Sequence, residues 1–79
     1  MADKNKYEVD KMKKGSLVMF SNANSRYAKW FLGRVGSIVT DKRTGSYKHV
    51  RVRWLEPVSY YGDPTSFSDF PTTDFTLIC

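Results

Sequence analysis

The sequence predicts an all-β domain, a small closed or nearly closed barrel of five short strands, on three observations. Tyr47–Leu55 alternates strictly: Val50, Val52 and Trp54 fall on one face, His49, Arg51, Arg53 and Leu55 on the other, the period of a half-buried strand. Further short apolar or β-branched runs are separated by Gly, Pro, Asn and Ser clusters that break the chain at short intervals. Finally, 79 residues support one modest core, since a domain of this size buries only about 60% of its unfolded surface. A short-stranded sheet closed on itself meets that limit.

Residues 1–13 are rich in Lys, Asp and Asn, with Tyr7, Val9 and Met12 as scattered apolar positions after Met1-Ala2. A helix this short is marginal without packing, so the segment is expected to be a flexible basic arm, leaving 14–79 as the domain. Ser16–Phe20 is an apolar run between Gly15 and the Ser21-Asn-Ala-Asn-Ser25 cluster, a strand followed by a long loop. Arg34–Asp41 is β-branched and glycine-punctuated. Val35 and Ile38 are three apart, so alternation needs one extra residue, and Gly36 is where a bulge costs least. Thr44-Gly45-Ser46 supplies a turn before the alternating strand. Pro57, Gly62-Asp63-Pro64 and Pro71 then break the remainder into short pieces. Phe67–Phe70 is expected as a fourth strand, Pro71–Asp74 as a single helical turn or tight bend, and Phe75–Ile78 as the closing strand.

Charge is sorted along the chain. From Arg26 to Arg53 there are eight Lys or Arg against the single acid Asp41, a balance of +7. From Trp54 to Cys79 there is no Lys or Arg, only Glu56, Asp63, Asp69 and Asp74. Within the formal net charge of +5, this distribution points to an acidic partner. The lone Cys79 allows no internal disulfide, and no Cys/His spacing suits zinc, so a reducing, cytoplasmic setting is expected, without metal or cofactor. No apolar run approaches the roughly 20 residues of a membrane span, and the polar N-terminus does not resemble a secretory signal. A monomer is the default.

The pattern Lys14-Gly15-x-x-Val18, Gly33-x-Val35-x-x-Ile38, Val50-x-Val52-x-Trp54 and Asp74-Phe75-x-Leu77-Ile78 resembles the SH3-like barrels of the broad KOW/Tudor type, over about residues 13–78. Small barrels of this layout are frequent in bacteriophage genomes, where the host cytoplasm would be the setting. The motif consists of apolar positions and glycines, so the resemblance implies a fold more than a function. A narrower similarity is to the small peripheral SH3-like subunit of photosystem I that helps dock ferredoxin. It is carried by Gly15-Ser16, Val18, Tyr27, Trp30, Val35-Gly36, Val50-x-Val52-Arg53-Trp54, Tyr60 or Tyr61 with Gly62, and Thr73-Asp74-Phe75-x-Leu77. Here Ala28 and Lys29 separate a tyrosine and a tryptophan that are adjacent in that subunit, and the lysine-rich arm is longer. This second resemblance implies a protein-docking role.

Candidate binding residues follow from charge and aromatics together. Arg51 and Arg53 share a strand face, a row of cations that can track a polyanion or can equally be a solvated outer face. Lys42, Arg43 and Lys48 flank the turn of the same hairpin, with Arg34 at its start. In the first long loop Arg26 and Lys29 interleave with Tyr27, Trp30 and Phe31, a mixture suited to single-stranded nucleic acid, where bases stack on rings and phosphates meet cations. Core filling is the other use of such rings: at least one of Trp30 and Phe31 is expected inside, with Tyr27 more exposed. Trp54, Tyr60, Tyr61 and Phe67 could form a cage with Asp63 or Asp69, although the phase of Trp54 places it in or at the rim of the core. Asp69 and Asp74 are expected to cap the bend around Pro71. Catalysis has little support: His49 lacks an acid two residues away to orient it, and no nucleophile or phosphate-loop motif is present. The sequence therefore suggests a non-catalytic module. Its partner is expected to be nucleic acid bound with low sequence specificity or, alternatively, an acidic protein within an assembly.

Overall fold

A computed structural model of the chain describes residues 12–44 and 47–79. Most of the expected arm, and the Gly45-Ser46 turn, lie outside the described residues. The elements are β1 (Leu17–Phe20), a single helical turn α1 (Ala28–Phe31), β2 (Val35–Thr44), β3 (Tyr47–Tyr60), β4 (Asp63–Pro71), a 3₁₀ turn (Thr72–Asp74) and β5 (Phe75–Leu77). The strands form one five-stranded sheet in the order β4-β3-β2-β1-β5, with every neighbour antiparallel. The all-β class is therefore correct.

The alternation that identifies β3 also fills the core. Val50, Val52 and Trp54 are buried, joined by Val18 and Phe20 of β1, Ile38 of β2, Phe70 of β4, Phe75 of β5, and Phe31 of α1. Met12, placed in the arm by its polar neighbours, is fully buried in this cluster.

β4 and β5 occupy opposite edges of the sheet, yet only Thr72–Asp74 separate them in sequence. In a flat five-stranded sheet those edges would lie about 19 Å apart, whereas a 3₁₀ turn of this length advances only about 8 Å. The sheet must curl. The rings record that curl: Phe20 of β1 lies 5.0 Å from Phe70 and 5.6 Å from Phe75, and the latter two are 6.0 Å apart. No β4–β5 ladder joins the two edges among the described residues, so the sheet is curled but not closed by hydrogen bonds.

Three expectations are corrected by local physics. The β2–β3 register shifts between Ile38 and Thr40, not at Gly36. Gly36 pairs directly with Trp54, and a Cβ there would strike the Cγ1 methyl of Val52 and come within 2.9 Å of the Arg53 carbonyl oxygen. The glycine permits close strand packing, and the extra residue is taken up at Val39. Secondly, β3 runs through Pro57 to Tyr60, because the β3–β4 ladder is interrupted between Arg53 and Val58, where a residue without an N–H costs no ladder bond. Thirdly, β4 begins at Asp63 and includes Pro64 and Pro71, which its edge position tolerates.

Candidate functional site

The first long loop is folded by its own polar residues. The backbone N–H of Asn24 donates to Asn22 Oδ1 (3.0 Å), and that of Tyr27 to Ser25 Oγ (3.1 Å). These are the side-chain turns that Asn and Ser favour. The loop is tied to the far end of the chain: Asn22 Nδ2 donates to Asp74 Oδ1 (2.9 Å), and the Ser21 and Thr76 hydroxyls are 2.7 Å apart. Asp74 is buried and anchors this loop; the 3₁₀ turn has no side-chain cap. Asp69 is likewise not a cap, since it pairs with Arg51. From Ser25 the chain enters α1, which buries Phe31 and leaves Lys29 exposed with Trp30 half-buried.

At the other side of the site, Tyr60 pairs with Asp63 across a two-residue turn, Tyr61-Gly62, both at positive φ (52° and 82°), the signature of a type I′ hairpin. That turn brings Tyr60 and Tyr61 onto the α1 side chains. The Trp30 ring centroid is 4.8 Å from Tyr60 and 4.8 Å from Tyr61, and the two tyrosine rings are 4.6 Å apart. Lys29 Nζ lies 4.3 Å from the centre of the Trp30 ring, and Arg26 lies over Tyr27 at 5.2 Å while donating to its hydroxyl at 3.2 Å. These six residues line a depression of about 400 Å³. A second cleft, about 490 Å³, shares Arg26, Tyr27 and Tyr60 and continues toward His49, Phe67 and Asp69. The Tyr27 hydroxyl hydrogen bond and its partial charge favour the charged form of Arg26. Burial of the Tyr60 phenol against its neighbours pushes its pKa up, assisted by Tyr61 and Tyr27 and opposed by Arg26.

The eight candidate cations divide by environment. Arg26 and Lys29 belong to the aromatic depression and have no acidic partner among the described residues. Arg51 faces Asp69 directly across the β3–β4 ladder and grips it twice, Nε to Oδ1 and Nη2 to Oδ2, each at 3.0 Å. Lys48 turns inward: its side chain is 10% exposed, its ammonium donates to the Met12 carbonyl oxygen, and Asp41 lies 3.6 Å away. Both contacts hold Lys48 as part of the packing. Arg53 is exposed and opposite Phe67. Arg34 is exposed beside Leu55 and Glu56 at a separate 220 Å³ depression. Lys42 and Arg43 extend β2, but their side chains lie outside the described residues.

The two stacking candidates are both half-buried: Trp30 joins the cluster with Tyr60 and Tyr61, and Tyr27 packs against Phe70 at 5.4 Å. Phe31 is the loop aromatic that fills the core. The cage grouping is not formed. Trp54 is buried, donating from Nε1 to Ser68 Oγ at 3.0 Å, and Phe67 lies opposite Arg53 in the ladder. Tyr60 and Tyr61 instead join Trp30. The signal for that pairing is the Gly after Tyr61, a weak mark of a two-residue turn beside the stronger Asn-Gly.

Among the described residues, no three His, Cys, Asp or Glu side chains gather to hold a metal ion, and no helix is long and apolar enough to cross a membrane. No protein-family model matches the chain, and no curated protein or solved structure matches it.

Proposed function

We propose that this chain is a non-catalytic binding module with an SH3-like barrel fold, which holds nucleic acid with low sequence specificity through the surface around α1 and the β3–β4 turn. The barrel reading is supported by the three-residue link between opposite edges of the curled sheet. One observation carries the functional reading: Trp30, Tyr60 and Tyr61 form a partly exposed aromatic cluster beside Arg26 and Lys29, two cations without acidic partners among the described residues. Rings supply stacking area and the cations meet phosphates, a combination that tolerates any base sequence. Arg53 extends the basic surface along β3, while Arg51 contributes less because Asp69 already neutralises it.

The test is fluorescence anisotropy with labelled single- and double-stranded DNA and RNA at low and moderate salt. Binding at low salt that weakens as salt rises is expected, because phosphate contacts release counterions. Absence of binding at low salt refutes the proposal. A second reading, an acidic protein partner within an assembly, is favoured by a different surface: Leu55 (59% exposed) and Phe67 (52% exposed) border Arg53 and the Arg51–Asp69 pair. Exposed apolar area beside a charge pair already satisfied, Arg51–Asp69, suits protein docking more than phosphate tracking.

A further inference from the structure

We propose that Tyr61 is the stacking residue of this surface and that it takes an unpaired nucleobase, which makes the ligand single-stranded. The proposal rests on the nucleic-acid reading above and deepens it by naming the strand state and the contact that selects it. Tyr61 is the one non-glycine residue at positive φ among the described residues (52°). That region disfavours a side chain with a Cβ, and Gly, Asn and Asp fill the first central position of such turns most easily. Tyrosine is therefore a strained choice. The strain is not offset by burial in the core, since Tyr61 is 73% exposed. A strained backbone at an exposed aromatic leads from the outlier to a binding role.

The surroundings fit that role. Trp30 meets the Tyr61 ring at 45° and Tyr60 meets it at 74°, so neither neighbour lies flat on it. With the ring so exposed, area remains for a flat partner. The cation–π contact of Lys29 with Trp30 places an ammonium beside the same cluster, and Arg26 lines the same depression. The stacking surface is thus flanked by positive charge, which complements a phosphate backbone. In a duplex both faces of each base are already stacked on neighbours. Only an unpaired base, in a single strand, a loop or a frayed end, can lie on an exposed ring.

The protein supplies its own reporter. Trp54 is 3% exposed and hydrogen-bonded to Ser68, whereas Trp30 is half-buried in the cluster, so quenching of tryptophan fluorescence by a bound base reads Trp30. The experiment titrates the full chain with a 20-nucleotide oligo(dT), and with the matching duplex, at low salt. It uses the wild type, Tyr61→Asn and Tyr61→Phe, each checked by thermal melting. Tyr61→Asn places Asn-Gly in the turn, so its melting temperature is expected to equal or exceed that of the wild type, and a loss of binding is then not a loss of fold. Expected results are tryptophan quenching by oligo(dT), weaker binding of the duplex, a roughly 5- to 150-fold loss of affinity in Tyr61→Asn, the value of one base–aromatic stack, and retained affinity in Tyr61→Phe. Tyr61→Asn binding oligo(dT) as the wild type does, or duplex bound as tightly as single strand, overturns the stacking proposal and leaves the nucleic-acid reading standing. A wild type that binds neither strand but does bind poly-glutamate overturns both and favours the acidic protein partner. A wild type that binds none of the three also overturns both.

Discussion

The cations that the sequence groups together should not contribute equally to binding, and the slope of affinity against salt separates them. For single strands, each phosphate contact contributes about −0.7 to the slope of log K against log salt, equivalent to about eightfold in affinity at 50 mM salt. Arg26 and Lys29 have no acidic partner among the described residues, so each is available to one phosphate. The double variant Arg26→Ala/Lys29→Ala should flatten the slope by about 1.4. Arg51 differs because both hydrogen bonds to Asp69 are 3.0 Å and the two residues are directly opposed on the sheet. To contact a phosphate it must give up a carboxylate already in place, and the Arg51→Ala slope should stay close to that of the wild type. Asp69→Asn does the reverse. It removes a negative charge from the wall of the cleft that contains Arg26 and frees Arg51, so the slope should steepen by up to about 0.7. The assay is anisotropy of labelled oligo(dT) at several salt concentrations between 25 and 200 mM, with circular dichroism confirming that each variant is folded. An Arg51→Ala slope as flat as that of the double variant, or a double variant that retains the wild-type slope, would refute the assignment of charge to the two surfaces.

Two further outcomes test the fold that holds the site. Gly36→Ala should cost about 1–3 kcal/mol through overpacking, because the added Cβ meets Val52, the Arg53 carbonyl and the Trp54 ring. That corresponds to a fall in Tm on the order of 5–20 °C, and a melting temperature within 2 °C of wild type contradicts the packing account. The second concerns pH. The Arg51 hydrogen bonds hold the Asp69 carboxyl below its usual range, with partial desolvation opposing them. A depressed folded pKa gives stability that is complete above the ordinary Asp value of about 3.9 and is lost as pH falls through the folded pKa. The Tm difference between wild type and Asp69→Asn should therefore be constant from pH 7 to 5 and shrink below about pH 4. A difference that grows on acidification contradicts the pairing.

What the sequence revealed and what it hid follow the same physical division. β3 was legible because half of it faces the core, and alternation is the direct trace of that burial in Val50, Val52 and Trp54. Its continuation past Leu55 was hidden because Pro57 normally ends a strand, and nothing local announces that the ladder is interrupted there anyway. The extent of β4 was hidden for a related reason: Pro64 and Pro71 are tolerated only because β4 is an edge, which is a property of the whole sheet. Gly36 attracted the bulge by its flexibility, while its actual role is to leave room for the Val52 side chain and the Arg53 carbonyl on the paired strand, residues far away in sequence. The loop residues Arg26, Tyr27, Lys29 and Trp30 were recognisable as a group because composition alone places rings beside cations. Their partners Tyr60 and Tyr61 were visible as aromatics but were matched to the wrong neighbours, since only the turn at Tyr61-Gly62 decides which surface they meet.

The opening charge pattern changes meaning once the chain is folded. Along the sequence, a +7 segment precedes one of −4, which on its own suggests a basic face set against an acidic one. Folding spends some of this charge on internal contacts. Lys48 turns inward to the Met12 carbonyl and Asp41, and Asp69 crosses the ladder to neutralise Arg51. Asp74 is buried, holding Asn22 of the long loop. The loop that Asp74 anchors is the one that carries Arg26 and Lys29, so an acid from the closing segment helps position the unpaired cations without cancelling them. Fewer cations are therefore free than the sequence implies, and two without acidic partners among the described residues, Arg26 and Lys29, lie at α1. That is also where the exposed rings gather. If the basic hairpin were the whole site, aromatic exposure would have no reason to coincide with the unpaired charge. Their coincidence supports the proposal that the binding surface lies at the long loop.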